Sequence, residues 1–433
     1  MSKKISATLA ITIIISAVIL IGAIFIYLYK FPQGEPQIIT VPEPPVTSIA
    51  PTEFKPSEVS CDINPMTGKR NECYCKYDET RNKIAIIIKE NGIYDNNQAL
   101  TITFNQYFVA VKNHLNIDNA GIKKFSEATK EKLDEFTEEL VKNEYVGYII
   151  LVGMDLPITV STPLIPPSPG AAGEQKVGLD LDSENNIYSY VGREPTGCKD
   201  VAVSFVVAPK FYNDNQKVDF VNDVFLNFAN YHGKKNGVYN SFNGKTLVIR
   251  EPEFFGENVY KDSDSYLTGF FYNPVFLSNW DHNQVTSKMK NHNLMLSYYV
   301  HGSPIELGLG LKEGSGPTYV TNDEILEFYS TNGQPALFID VLAACNNDVL
   351  DYNLYSYDYN ESPNIQKRRA NSGFCCWPQT WLKTGAWAIS EVYSSGHYNF
   401  ERWTYNEKII GKALKKTYHV QGMIYGDILA TFP

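Results

Sequence analysis

Two short apolar runs separated by one helical stretch constrain this chain more than any other feature. The first lies in NLMLSYYVHGS, where Leu294 to Val300 has the pattern of a buried strand and His301, Gly302 and Ser303 follow its carboxyl end. The second lies in PALFIDVLAACNND, where Ala336 to Leu342 is apolar and Cys345 stands just beyond. Between them, TNDEILEFYS (Thr321 to Ser330) reads as one short helix. Thr321 is its expected N-cap, and Glu324 three residues on completes a capping box. Strand, helix, strand is the pattern of a parallel crossover. Parallel neighbours end at the same sheet edge, which brings His301 and Cys345 to the edge where open α/β sheets hold their sites.

The same alternation recurs along the chain. KIAIIIK (Lys83 to Lys89), Tyr148 to Val152, Thr246 to Arg250 and Ala386 to Val392 read as strands. Ile122 to Asn143, Val218 to His232, Trp377 to Lys383 and Asn406 to Tyr418 read as helices. In the first of these Phe125, Thr129, Leu133, Phe136 and Leu140 share one stripe. The expected fold class is therefore α/β, a mostly parallel sheet flanked by helices. At 433 residues the chain exceeds the usual single-domain size. A break near Tyr239 to Gly244 divides it into an 81–240 subdomain and a 241–433 subdomain, with no repeat visible in the sequence. A net charge of −10 without a basic stripe excludes nucleic acid as a general partner.

Before the globular part stand two segments of different character, 1–30 and 31–80. Ala7 to Tyr29 is an apolar run long enough to cross a hydrocarbon core of about 30 Å as a helix. Lys3 and Lys4 before it set the N-terminus inside and the rest outside the cytoplasm, as a single-pass signal-anchor; a cleaved signal peptide is the alternative. Phe31 to Ser60 carries seven prolines and reads as an extended stalk to the membrane. Seven cysteines in an extracytoplasmic chain leave one unpaired. If Cys345 is that one, six remain for bridges, with Cys61 to Cys73 or to Cys75 closing a small loop; a metal cluster there is the other reading.

A cysteine nucleophile needs a base to draw off its proton and N–H donors for the oxyanion, and Cys345 with His301 meets the first requirement. The other histidines, His114, His232, His282, His292, His397 and His419, lie in no comparable motif and read as surface residues. Asp180, Asp182 and Glu184 place carboxylates on alternate residues as calcium loops do, a structural ion at most, since no cofactor is required by the chemistry. Asp348 to Ser372 is a polar insertion holding the sequon at Asn360 and the basic run Lys367-Arg368-Arg369, read as a surface loop or a lid.

With YYVHGS followed by an apolar strand ending AAC, the chain resembles the caspase-like cysteine peptidases, and within them the gingipain-type family. The likeness runs from Tyr145 to the C-terminus. It includes YIILVGMDLPI (Tyr148 to Ile158), YVGREP (Tyr190 to Pro195), KTGAWAISEVYSS (Lys383 to Ser395) and the closing MIYGD (Met423 to Asp427). The resemblance implies a caspase-like fold and a cysteine endopeptidase acting on protein or peptide substrates. In it His301 is the acid-base, Cys345 the nucleophile, and the N–H groups of Gly302 and Cys345 the oxyanion donors. Glu174, in the run GEQKVG, falls where arginine-cleaving members carry the acid of their S1 pocket, which implies cleavage after basic residues. The chain departs from the family at Val300, where a glycine precedes the histidine, and at Asn346-Asn347-Asp348, where a glycine follows the cysteine. An inactive relative serving as an adhesion module, or a sorting-type transpeptidase of the same fold, are the rival readings.

Overall fold

The computed structural model describes residues 58–63, 70–153, 156, 200–209, 211–234, 246–250, 275–277, 282–289, 295–299, 301–302, 306–308, 319–331, 338–343, 377–391, 407–416 and 423–431. The apolar run Ala7 to Tyr29, the stalk up to residue 57, the insertion 348–372 and the acidic loop 180–184 lie outside them. Among the described residues no helix is long and apolar enough to cross a membrane.

Residues Glu58–Ile63 (β1) and Arg70–Lys76 (β2) form an antiparallel hairpin, so the last residues of the expected stalk are strand. Its register sets Cys61 opposite Cys73, and Cys75 is buried and disulfide-bonded.

Among the described residues ten strands then build one sheet. Its first five are Lys83–Lys89 (β3), Asp118–Phe125 (β4), Val146–Val152 (β5), Ala202–Val206 (β6) and, from the far end of the chain, Met423–Gly426 (β15). These five are mutually parallel in the order β4-β3-β5-β6-β15. The other five are Thr246–Arg250 (β7), Val275–Leu277 (β8), Met295–Tyr299 (β9), Phe338–Ala343 (β13) and Ala388–Glu391 (β14). They too are mutually parallel, in the order β8-β7-β9-β13-β14. Among the described residues the one antiparallel contact in this sheet, β14 with β15, joins the halves and makes them run in opposite directions. Numbering each half by its own chain order gives 2-1-3-4-5 in both. The topology repeats although the sequence does not.

The β-branched and apolar runs explain the burial. All seven positions of β5 and all five of β6 are buried, which requires a layer on each face of the sheet. Helix Gln98–Leu115 (α1) crosses from β3 to β4, and Lys130–Glu144 (α2) from β4 to β5. The helix expected over Ile122 to Asn143 is therefore shorter. Ile122 and Phe125 belong to the ladder with β3, and the helix begins only after Thr129, whose hydroxyl accepts from the Lys132 N–H. Asp214–Gly233 (α3) starts in a capping box between Asn213 and Gln216 and packs along α1 through Phe104–Phe225 and Tyr107–Phe225 edge contacts. Among the described residues the remaining helices are His282–Met289 (α4), Asn322–Thr331 (α5), Trp377–Thr384 (α6) and Ile410–Lys416 (α7).

The seam between halves demands one glycine. Gly426 has φ +88°, and a Cβ there would stand 2.4 Å from the Trp387 carbonyl of the neighbouring strand entry. Ser204 Oγ donates to the Gly426 carbonyl at 2.7 Å, and the Asp427 N–H donates to Trp387 O at 2.7 Å, so the Tyr-Gly-Asp turn ties β6, β14 and β15 together.

Candidate active site

The expected crossover is present. Strand β9 is followed by α5 and then β13, and β9 and β13 are parallel neighbours, paired from Met295↔Phe338 to Tyr298↔Val341 and, after a one-residue shift at Leu342, at Tyr299↔Ala343. The capping box is present too: the Glu324 N–H donates to Thr321 Oγ1 at 3.3 Å, and the Thr321 N–H donates to Glu324 Oε2 at 2.9 Å.

Tyr299 and Ala343 are level with each other at the carboxyl edge, and His301 and Cys345 each follow two positions later in sequence. His301 opens a second, three-stranded sheet of His301–Gly302 (β10), Glu306–Gly308 (β11) and Tyr319–Thr321 (β12). Its pairings set His301 opposite Gly308 and Gly302 opposite Leu307. The chain thus leaves β9 into a small antiparallel flap before entering α5. Cys345 lies outside the described residues, as do Glu174, Asp180, Asp182 and Glu184, and among the described residues no three metal-ligating side chains gather.

Strand order adds weight to this edge. In β8-β7-β9-β13-β14 the chain moves from β7 outward to β8 and then returns to the other side of β7 as β9. The switch point of the second half therefore lies between β7 and β9, and crevices at switch points, beyond the carboxyl ends, are where such sheets bind ligands.

A second cluster escaped sequence reasoning. His232, read as a surface residue, is buried with only 2% exposure, and its Nε2 lies 2.7 Å from Asp427 Oδ2. The other carboxylate oxygen accepts from Tyr107 Oη at 2.6 Å and from the Leu429 N–H at 2.9 Å. His114, half-buried at the end of α1, sets its Nδ1 2.8 Å from the Nδ1 of His232. Burial, ahead of the Asp427 charge, pushes the Tyr107 phenol well above the usual tyrosine range, so it remains a donor. The signal was available in the sequence: Val221, Phe225, Phe228 and His232 lie at steps of four, three and four, as do Leu100, Phe104, Tyr107, Val111 and His114. Each histidine sits on the apolar stripe of its helix.

A third buried group is Lys415 on α7, with no exposed surface. Its ammonium lies over the rings of Tyr77 and Tyr148, 4.4 and 4.3 Å from their centroids, and reaches the Arg81 carbonyl at 3.4 Å. Burial is the main influence on it and pulls it down to about 7. The two ring faces offset part of that penalty. With no opening to solvent, this lysine fastens α7 to β5 and to the entry of β3.

No known family profile and no curated protein matches the chain. Among solved structures it is similar to the Arg-specific cysteine proteinase gingipain R, with TM-score 0.45 and 13% identity over 82% of this chain and 79% of that one. It is also similar to a complex of Porphyromonas gingivalis RgpB pro- and mature domains, with TM-score 0.44 and 12% identity over 81% of this chain and 79% of that one.

Proposed function

We propose that the chain is a cysteine endopeptidase of caspase-like architecture, anchored to a membrane by Ala7 to Tyr29 with its catalytic part outside the cytoplasm. The observation that supports this reading is the register of β9 and β13, which are adjacent, parallel and level at Tyr299 and Ala343. Sequence positions 301 and 345 follow from the same edge by the same two-residue step. In this reading the Cys345 thiolate attacks the scissile carbonyl, and the oxyanion is held by the N–H groups of Gly302 and Cys345. His301 carries the thiol proton and delivers it to the departing amine as the C–N bond breaks. Water then attacks the thioester, returning the thiol and releasing the carboxylate product.

The finer proposal concerns P1. A carboxylate at Glu174 in a partly desolvated pocket selects a cationic side chain, and bidentate pairing favours arginine over lysine. Both levels are tested on the soluble fragment from Lys30 onward. An electrophilic peptidyl probe should label Cys345, and labelling should vanish in Cys345→Ala. Recovery of Cys345 in a disulfide, or unchanged labelling of that variant, overturns the peptidase reading. A peptide-library profile with an apolar or acidic P1 overturns the role of Glu174 alone.

A further inference from the structure

Helix α1 turns a face without charge to the outside. From Asn96 to Val111 the sequence has no Asp, Glu, Lys or Arg, and α1 begins at Gln98. Its inner face, with Leu100, Phe104, Tyr107 and Val111, is buried and packs on α3. Its outer face carries Ala99, Ile102, Asn105, Gln106, Val109 and Asn113, all exposed. Among the described residues three large apolar side chains stand exposed, and two of them are Ile102 at 51% and Val109 at 61%. Seven residues make two helical turns, so these two share one stripe. A helix face that meets only water is ordinarily charged. The neighbouring helices show this: α2 exposes Glu131, Glu135 and Glu139, and α3 exposes Asp214, Asp219 and Asp223.

Charge and symmetry together identify what fits the stripe. The chain carries a net charge of −10, so a second copy is repelled at the acidic faces of α2 and α3 but not along α1. The charge nearest the end of the stripe, Lys112, is already paired within its own chain, 2.8 Å from Asp118. Ile102 and Val109 are equally spaced about the point between Asn105 and Gln106. An antiparallel copy related by a two-fold axis through that point sets Ile102 against Val109 of the second copy, and Val109 against its Ile102. The same operation brings Asn105 to Gln106 of the second copy, two amides that can each donate and accept. At the flanks it brings Gln98 to Asn113, and Ala99, with its small side chain, to the stem of Lys112.

We propose that α1 is a self-association surface, at which two copies of this chain meet as an antiparallel, two-fold symmetric helix pair centred between Asn105 and Gln106. The helix is about 27 Å long, and one face of it falls below the size of a standard interface. The pairing is therefore reversible and belongs to chains held at high local concentration. It uses neither position 301 nor position 345, so it stands or fails independently of the peptidase reading.

The test uses the full-length chain in detergent solution, with photoreactive benzoylphenylalanine in place of Asn113 and with light and heavy nitrogen-labelled copies mixed. Irradiation at up to about 1 mM chain should give light–heavy cross-links from position 113 to Gln98 and Ala99 of the other copy. Ile102→Glu and Val109→Glu should each lower that yield by about tenfold or more, since each sets a carboxylate against an apolar side chain. Ile102→Glu combined with Val109→Lys should restore it, because the two-fold sets each carboxylate opposite an ammonium. Both positions are more than half exposed, and thermal melts of the variants should match the parent. Cross-links within one copy, to detergent, or from position 113 to position 113 overturn the proposal. So does the absence of light–heavy product at the highest concentration, and so does a double variant no better than the singles. Should a variant melt early, the cross-link pattern of the parent chain decides alone.

Discussion

The two halves of the sheet share a strand order and differ in the residues that follow the matching strands in sequence. In the first half Val152 of β5 is level with Val206 of β6, and two residues later the sequence has Met154 and Ala208. In the second half Tyr299 of β9 is level with Ala343 of β13, and two residues later it has His301 and Cys345. The frame is the same and the residue types are opposite. In the first half β5 and β6 are buried at every position, and the residues beyond them, Gly153 and Val207 to Pro209, are buried continuations of the core. In the second half the sequence has a histidine and a cysteine two positions on. In the proposed reading, chemistry is therefore a matter of two positions rather than of topology, which both halves possess.

The largest expected effect breaks that comparison directly. Cys345→Ala should reduce peptide turnover to background. His301→Ala should lower kcat by about 10²–10⁴-fold, the usual worth of a positioned acid-base group. Ala208→Ser, which puts a hydroxyl at the first half's equivalent of Cys345, should leave kcat unchanged. Active-site titration beside a thermal melt separates lost chemistry from lost folding. Turnover in Cys345→Ala equal to the parent would remove the distinction between the halves.

The next effect is on stability and belongs to the first half. A Cβ at Gly147 would stand 1.9 Å from the Arg81 carbonyl and 3.1 Å from Lys415 Nζ. Backbone cannot withdraw as a side-chain tip can, so Gly147→Ala should cost about 3 kcal/mol, the upper end of overpacking penalties. The urea midpoint should fall accordingly, while kcat per folded molecule is kept.

Lys415, beside that glycine, gives the first half a pH dependence of its own. Burial, ahead of repulsion from Lys412, lowers the folded value from 10.5 to about 7. Between these values the unfolded chain carries a proton that the folded chain has released. Stability therefore rises with pH across the window and is lost again as pH falls through 7, with a slope of up to ~1.4 kcal/mol per pH unit. Above about pH 10 the phenols of half-buried Tyr77 and buried Tyr148, raised chiefly by burial, act in the opposite sense. Lys415→Met should flatten the profile between pH 7.5 and 9.5 in urea titrations, and an unaltered slope would show that this lysine is charged in the folded protein.

What the sequence disclosed and what it hid divide along local and non-local lines. Strand-period runs such as KIAIIIK and the cap at Thr321 are local, and each formed as read. The helix over 122–143 was misread because Phe125 fits the apolar stripe of a helix and the edge of a parallel ladder equally well, and pairing with β3 decided the matter. The duplicated 2-1-3-4-5 order is carried by pairings between distant segments and leaves no trace in residue identity. His232 and Asp427 are 195 positions apart. The apolar stripe shows that His232 is buried, but not what it meets. Asp427 was visible as part of a turn motif, while its role as a buried acceptor depends on α1, α3 and the C-terminus converging. The edge that bears on His301 was legible because it needs only one crossover.

The smallest expected effect compares helix caps in the two halves. Thr321 opens α5 with a reciprocal pair, the Glu324 N–H to its hydroxyl and its own N–H to the Glu324 carboxylate. Thr129 opens α2 with one long contact, accepting from the Lys132 N–H at 3.4 Å, and Lys132 at the third helical position cannot return the bond. Removing the hydroxyl should therefore cost unequal amounts: about 1 kcal/mol for Thr321→Ala, in the middle of the capping range, and about 0.5 kcal/mol for Thr129→Ala, at its lower end. Paired urea titrations resolve the difference, and Glu324→Ala in the Thr321→Ala background should add less than it does alone, since the two groups form one unit. Because α5 links β9 to β13, fraying of its first turn also loosens the approach to β13. If the register of these strands is what brings positions 301 and 345 together, Thr321→Ala should lower kcat slightly as well as stability, whereas Thr129→Ala should lower stability alone. Equal kcat in the two variants would show that β9 and β13 hold their register without help from the helix between them.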